Sequence, residues 1–422
     1  MTSSRMTSKS SIAVIDVVPN ISTSQMSQVS SGLKTSSGKH VVLATGGTGG
    51  HIYPAIAVAE ELKARGYLVT FIGQGKGLEA RLVPQAGFEF VGVTAGKLDR
   101  QRPNPLEIIK AVWGCLQALR QVVRLRPTWV IGFGGFASFP ALAAAWLLRR
   151  PLALHEANAY PGLVTKLFAR SARLIASVEA AVSNRLPKKT LPVGLPIRLN
   201  QLDKAAARAQ LGLPEDALVT LVMGGSQGAK VLNEVVPAAY EGLEHTHQPH
   251  YVLHSAGWGR VDSVTRLIDP DLMDSEHYRV MDFVDAPLAW SAADIAITRA
   301  GSSTLAEAAF YGVPLIMVPF AAAAENHQFH NAKAVEADGA GYVIEERALY
   351  APSDMLQAGD GNAIRPEPLI ERWQHLLAAN VRDKVAERAK LRAQPEAAKQ
   401  FVDALEQASP TSPKSSPTGT SL

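Results

Sequence analysis

Short unbroken apolar runs alternate with stretches of helical periodicity along most of this chain. Val41–Ala44 is the first such run, and it predicts a strand followed by a glycine loop and a helix from about Pro54 to Arg65. Leu68–Ile72, Glu89–Val93, Trp129–Gly132 and Leu152–His155 read as further strands. The pattern restarts after Arg198 with Leu218–Met223, a second glycine loop and a helix. Tyr251–His254, Arg279–Phe283, Ile295–Thr298 and Pro314–Val318 follow as strands. Strands covered on both faces read as continuous apolar runs, which points to parallel sheets. Two successive strand–helix series predict an α/β protein of two doubly wound domains. The join falls near Val193-Gly194-Leu195-Pro196. The expected divisions are an extension over 1–39, domains over 40–197 and 198–383, a C-terminal helix over 384–408 and a tail over 409–422. A helical pattern from roughly Pro368 to Gln407 has no following strand to serve, so it is free to pack back across both domains.

Composition changes this picture only at its edges. With 422 residues, 47% of them apolar, the chain is long enough for two cores. Two uncharged runs are long enough to raise a membrane span or nearly so. Trp129–Leu148 is broken by Gly132, Gly134, Gly135 and Pro140 and reads as strand, glycine turn and helix. Ala308–Ala324 carries Gly312, Pro314 and Pro319 around a short apolar run and reads as a buried strand. Residues 1–39 hold 16 Ser or Thr and little periodicity, so disorder is expected there, as in the Pro/Ser/Thr tail; an organelle transit peptide would need an Arg-rich amphipathic pattern that is missing. The lone Cys115 excludes an internal disulfide framework and a Cys-based zinc site, fits a reducing compartment, and reads as a packed helix residue. The net charge is +4, but Arg5, Lys9, Lys34 and Lys39 face only Asp16 in the first stretch, and Lys414 stands alone in the tail. The body is therefore neutral, which argues against nucleic acid as a partner.

Four polar clusters carry the candidate chemistry. The first loop is Gly46-Gly47-Thr48-Gly49-Gly50-His51, between a strand and a helix. Glycines there let the backbone approach a ligand, and a helix N-terminus favours anions, so the loop suits a phosphate or a sugar. No Gly-Lys-Ser/Thr follows, and Ile52 stands where a dinucleotide fingerprint needs its third Gly. Gly224-Gly225-Ser226-Gln227-Gly228 occupies the equivalent place in the second series, and the two loops would line one cleft. Arg299-Ala300-Gly301-Ser302-Ser303-Thr304-Leu305-Ala306-Glu307 follows Ile295–Thr298. Ser302 is suited to capping the helix, and Glu307 either grips two ribose hydroxyls or is simply solvated. Glu325-Asn326-His327-Gln328 offers amide and imidazole groups to sugar hydroxyls, or is a polar helix start. Asp269-Pro270-Asp271 reads as a surface loop, and His245, His247 and His250 as a loop of partly exposed histidines, so no metal site is expected.

Together with His155-Glu156-Ala157-Asn158 and Gly194-Leu195-Pro196-Ile197-Arg198, these clusters resemble, in order and approximate spacing, the MurG family of bacterial glycosyltransferases from about His40 to Gln407. The resemblance implies the GT-B fold: two Rossmann-like domains facing a cleft, the second binding a UDP-sugar and the first receiving a lipid acceptor. It implies no cofactor. The donor would be UDP-GlcNAc and the acceptor lipid I, an undecaprenyl-pyrophosphoryl-MurNAc-pentapeptide. Transfer to the MurNAc 4-hydroxyl, with inversion, would make lipid II for peptidoglycan. The implied setting is the cytoplasmic face of the bacterial inner membrane, with other cell-wall synthesis proteins as partners.

The resemblance also distributes roles. Gly46, Gly47, Thr48, Gly49 and Gly50 form the acceptor and phosphate loop, and Thr48, Gly49, Gly50 and His51 also border the donor. Ser226 and Gln227 border the diphosphate, and Arg198 adds positive charge near it. Val284 meets uracil through its backbone. Ser302, Ser303 and Thr304 open a helix under the diphosphate, Glu307 holds the ribose, and His327, Gln328 and Asn158 read the sugar hydroxyls. Ala157 stands where the family often has Gln, Leu195 where it often has Asn, and His327 where some relatives have Gln.

His51 is the candidate general base, since imidazole titrates near neutrality; the alternative is that it binds acceptor or shapes the loop. Lys97–Arg126 contains seven basic and two acidic residues around Leu106, Ile108, Ile109, Val112, Trp113, Leu116 and Leu119. Such a helix suits an anionic membrane surface, or is an ordinary buried helix with solvated ends. Three rivals remain: a galactosyltransferase acting on diacylglycerol, a UDP-GlcNAc 2-epimerase, and a nicotinamide dehydrogenase.

Overall fold

The computed structural model describes residues 39–96, 105–198, 200–225, 227–244, 248–323, 326–351 and 363–409. The expected extension (Lys39 apart), the tail beyond Ser409, and Lys97, Ser226, His245, His247 and Glu325 lie outside the described residues.

Two parallel sheets organise the chain. The first comprises β1 His40–Ala44, β2 Leu68–Gln74, β3 Glu89–Val93, β4 Trp129–Gly132, β5 Leu152–Glu156, β6 Leu174–Ser177 and β7 Leu191–Pro192, in the order β3-β2-β1-β4-β5-β6-β7. The second comprises β8 Leu218–Met223, β9 His250–Ser255, β10 Tyr278–Met281, β11 Ile295–Thr298, β12 Leu315–Met317 and β13 Gly341–Val343, in the order β10-β9-β8-β11-β12-β13. In both sheets the chain winds outward from its first strand, then crosses back to pair that strand's other edge. Val41 lies level with Val69 and Trp129, and Thr220 with Val252 and Ile295. The carboxyl ends of β1/β4 and β8/β11 are therefore topological switch points, where open α/β sheets leave a crevice for ligands.

The apolar runs are covered on both faces. Val41, Val42, Leu43 and Ala44 are wholly buried and alternate between two separate clusters of core residues, one on each face of the first sheet. At roughly 25 cal/mol per Å² of apolar area removed from water, such strands are the main source of each domain's stability.

The expected helix from Pro54 begins earlier, at Gly49, and runs to Ala64 with Pro54 inside it. His51 and Ile52 both donate to the Thr48 carbonyl, so the first turn has closed before proline's missing N–H matters. The helical pattern from Pro368 to Gln407 is three helices, Glu367–Leu377, Ala379–Leu391 and Ala397–Gln407. Extended backbone at Ala378 breaks it once, and the stretch before Ala397, with Pro395, breaks it again. The last helix inserts Phe401, Val402 and Leu405 into the first domain's core, while Ala389 of the middle helix packs in the second. β6, β7 and β13 were not anticipated. Asp269-Pro270-Asp271 is not an open loop: Asp269 caps a short helix, Pro270–Asp274. His250 is not a loop histidine; it opens β9, shares Thr220 Oγ1 at 2.9 Å and packs edge-on against Trp373.

Candidate active site

Four loops end at the two switch points, and they define the cleft. The first runs from Thr45 to Thr48 after β1. Gly46 and Gly47 have φ of 152° and 90°, and Thr48, in extended conformation, is the N-cap residue of the helix that Gly49 and Gly50 open. His51 therefore lies in that helix's first turn rather than closing the loop. Helix side chains lean toward the N-terminus, so the ring folds back over the loop it follows. Thr45 Oγ1 donates to the His51 carbonyl at 2.8 Å, and Thr48 Oγ1 lies 3.2 Å from His51 Nδ1.

The second loop, Phe133–Ser138 after β4, was not anticipated as part of the site. Gly134 and Gly135 have φ of 85° and 74°. A Cβ at Gly134 would sit 3.2 Å from His51 Nε2, and one at Gly135 only 2.3 Å from the Gly46 carbonyl. Only glycines leave room there for the imidazole. Desolvation, with a smaller push from nearby His327, lowers the His51 pKa to about 4 against the opposing pull of a hydrogen bond with the Gly46 backbone. The ring is thus neutral at pH 7.

The other two loops belong to the second sheet. After β8, Gly224 and Gly225 lead to an exposed Gln227, and Gly228 donates to the Gly225 carbonyl. A Cβ at Gly228 would meet the Ala256 carbonyl at 2.0 Å, so this loop is wedged against the one following β9. After β11, Ser302, Ser303 and Thr304 open the helix Ser302–Tyr311. Its N-cap is Gly301, so Ser302 is not the cap. Its hydroxyl donates instead across the cleft to Asn158 Oδ1, at 3.1 Å. Ser303 Oγ is buried without a hydrogen-bond partner and faces Gly50. The N-termini of the Gly49 and Ser302 helices thus face one another, with an unsatisfied hydroxyl between them. Their dipoles make this gap attractive to anions.

Glu307 is half-buried, and its carboxylate accepts the Trp290 indole N–H at 3.1 Å. Burial raises its pKa to about 7, against the opposing pull of that hydrogen bond. Val284 is half-buried between β10 and the helix Ala286–Ala292. His327 opens the helix His327–Ala337, and Gln328 Oε1 accepts the Phe320 N–H at 2.9 Å.

Asn158 joins the domains. Its Oδ1 also accepts from Asn331 Nδ2 at 3.2 Å, Asn331 Oδ1 accepts the Ala159 N–H at 2.8 Å, and Tyr160 stacks on His330. Buried Glu156, its pKa raised by desolvation, holds the Asn158 and Gly162 amides from below. Asn331 was missed in the sequence, although it lies four residues after His327 and so shares that helix face. Arg198, at the crossing between the domains, has an exposed guanidinium that pairs with Glu60. Glu60 lies eleven residues along the Gly49 helix, roughly 16 Å from its N-terminus, and the pair is of the exposed, weak kind. Among the described residues, no group of three or more His, Cys, Asp or Glu side chains is arranged to hold a metal.

Comparison with known proteins bears on the fold and the family. The profile of the glycosyltransferase family 28 N-terminal domain matches residues 41–177, and that of the family's C-terminal domain matches residues 219–360. A Deinococcus radiodurans protein named UDP-N-acetylglucosamine–N-acetylmuramyl-(pentapeptide) pyrophosphoryl-undecaprenol N-acetylglucosamine transferase is 41% identical, over 87% of this chain and 95% of its own length. A Thermus thermophilus protein of the same name is 45% identical over 66% of this chain and 79% of its own. The crystal structure of Acinetobacter baumannii MurG superposes with a TM-score of 0.71 at 29% identity, covering 87% of this chain and 99% of that one. A putative UDP-N-acetylglucosamine 2-epimerase from Listeria monocytogenes, at 13% identity and a TM-score of 0.60, shares the fold.

Proposed function

The chain belongs to glycosyltransferase family 28, and on that membership we propose its reaction: transfer of N-acetylglucosamine from UDP-N-acetylglucosamine to N-acetylmuramyl-(pentapeptide) pyrophosphoryl-undecaprenol, lipid I, giving lipid II. The observation that carries the site assignment is the meeting, in one cleft, of two opposed helix N-termini and a neutral, partly buried imidazole. The MurNAc 4-hydroxyl attacks the anomeric carbon of the donor. As that C–O bond forms, the bond from the same carbon to the UDP oxygen breaks, and UDP leaves with its electron pair. The hydroxyl proton passes to His51. With Thr48 at Nδ1, Nε2 is the nitrogen left for it. A single displacement inverts the anomeric centre. General-base catalysis of this kind is typically worth ~10²–10⁴-fold in rate.

The departing diphosphate is stabilised by the Ser302 helix amides, the Ser303 hydroxyl and the Gly224–Gly228 loop. Glu307 takes the ribose hydroxyls, the Val284 backbone takes uracil, and His327, Gln328 and Asn158 take the sugar. Arg198 adds positive charge near the diphosphate, its exposed and weak pairing with Glu60 being exchanged for the ligand.

Membrane contact belongs to the same proposal. The helix Pro105–Leu125 turns its small residues Ala111, Gly114 and Ala118 inward, and Gly114 has no room for a Cβ against the Thr94 carbonyl. Leu106, Ile109, Val112, Trp113 and Leu116 face outward, each more than half exposed, next to Trp146 and Leu147. A helix with its large apolar residues outside fits a surface laid against lipid. Among the described residues no helix is long and apolar enough to cross a membrane, so the contact is peripheral. The enzyme would then meet its acceptor at the cytoplasmic face of the inner membrane.

The test is UDP release from the purified protein with UDP-N-acetylglucosamine, with and without a lipid I analogue. Release that requires the analogue and yields a disaccharide is expected. Release with UDP-galactose and diacylglycerol instead would overturn the acceptor assignment.

A further inference from the structure

Glu79 is wholly buried, yet among the described residues no cation pairs with it. An isolated carboxylate inside a protein is costly unless backbone amides satisfy it. Here two do. Glu79 Oε2 accepts the Gly47 N–H at 3.2 Å, and Oε1 accepts the Gln74 N–H at 2.8 Å. Three glycines are shaped around the same group. A Cβ at Gly46 would lie 2.1 Å from Oε1, one at Gly77 2.4 Å from Oε2, and one at Gly73 2.8 Å from Cγ. The carboxylate thus plugs the underside of the first glycine loop, joining it to the end of β2. The upper side of that loop holds His51: Thr45 and Thr48 contact its carbonyl and ring, and the Gly46 backbone makes a further hydrogen bond with the imidazole.

We infer that Glu79 is a positioning residue for the transfer reaction, its carboxylate fixing the first glycine loop and, through it, the depth and orientation of the His51 imidazole. This rests on His51 being the base proposed above. Glutamine at position 79 has the same shape but one amine end, which must point a donor at either the Gly47 or the Gln74 N–H. One loop amide then loses its acceptor. The titratable groups facing His51 are His327 across the cleft, His155 at the end of β5 and Glu79 beneath the loop.

The experiment uses the full chain carrying Glu79→Gln or Gly46→Ala; the second presses a Cβ onto Oε1 and disturbs the same contact from the other side. Three quantities are read: kcat and donor KM with a lipid I analogue, UDP affinity, and the His51 ring pKa by NMR. The expected result is kcat lower by about tenfold or more, with UDP affinity within about twofold, because the groups given to uracil and ribose lie on the other domain. The imidazole pKa should rise by about one unit or more toward its ordinary value as water enters the loosened loop. Glu79→Asp keeps the charge and should recover part of both effects. An unshifted imidazole with kcat near wild type, or a lower melting temperature with the imidazole unshifted, overturns the inference. A wild-type protein inactive on the analogue would sink the proposed function, while the imidazole titration would still decide on Glu79. If Glu79→Gln fails to fold, Gly46→Ala carries the same test.

Discussion

Glu307 shows how far a single side chain can be placed between stability and function. Its ordinary carboxyl pKa of 4.5 rises to about 7 in the folded protein, so folding favours the protonated form. That contribution is fully present below pH 4.5 and is lost as pH rises through about 7. Glu307→Gln should therefore melt at a higher temperature than wild type at pH 8, with the gap closing toward pH 5. It should also bind UDP roughly tenfold more weakly, since a neutral amide is a poorer acceptor for ribose hydroxyls than a carboxylate. Melting curves at both pH values and a UDP titration check this; a lower melting temperature at pH 8 with UDP affinity unchanged would contradict it. Residues of this kind were legible where they sat in a strand–glycine–helix sequence. His51, Ser302–Thr304 and Glu307 all did. Glu79 was not, because nothing in Leu78-Glu79-Ala80 distinguishes a buried acid from a surface one. Gly134 and Gly135 followed a strand just as the other loops did, but in the sequence they had served only to argue against a membrane span.

Among the elements, the helix Pro105–Leu125 carries the sharpest expectation. Its inward face is small and its outward face bulky, the reverse of an ordinary surface helix. Replacing Ile109 and Trp113 together by Glu should leave the fold and UDP binding intact while reducing partition onto anionic vesicles by about tenfold or more. Co-sedimentation of the double variant at wild-type levels would remove the membrane role from this face. Element identity was readable where burial on both faces made an unbroken apolar run of four or more residues, as in β1, β4, β8 and β11, but not at β6, where the run is only Leu174-Ile175-Ala176. It failed for β13, only Gly341–Val343, and for β7, where Leu191 and Pro192 are exposed and no apolar run exists. The first two C-terminal helices merged into one because periodicity continues across Ala378, where the break is made by backbone geometry alone; the second break does carry a sequence signal, Pro395.

At the scale of the whole molecule, the two doubly wound halves and the cleft were legible because the same pattern occurs twice. The staple between them was not, because Asn158 and Asn331 are 173 residues apart and no local pattern links them. Four histidines, at positions 51, 155, 250 and 254, are held neutral by burial, their pKa values lowered to between about 3 and 4. The unfolded chain binds protons at these sites from about pH 6.5 downward, while the folded chain does not. Stability should therefore fall steadily as pH drops from 6.5 to 4, by more than one histidine alone could cause. Thermal melts across that range, compared with a His254→Gln protein, would show it as a shallower loss in the variant. A further consequence follows from the last helix packing in the first domain. The chain passes between domains twice, once through Val193–Arg198 and once through residues 392–396, and the two passages touch where Gly194 meets Gln394. Two strands fixed side by side act as the two pins of a door. Any relative movement of the two halves is thereby confined to a swing about the line these connections share.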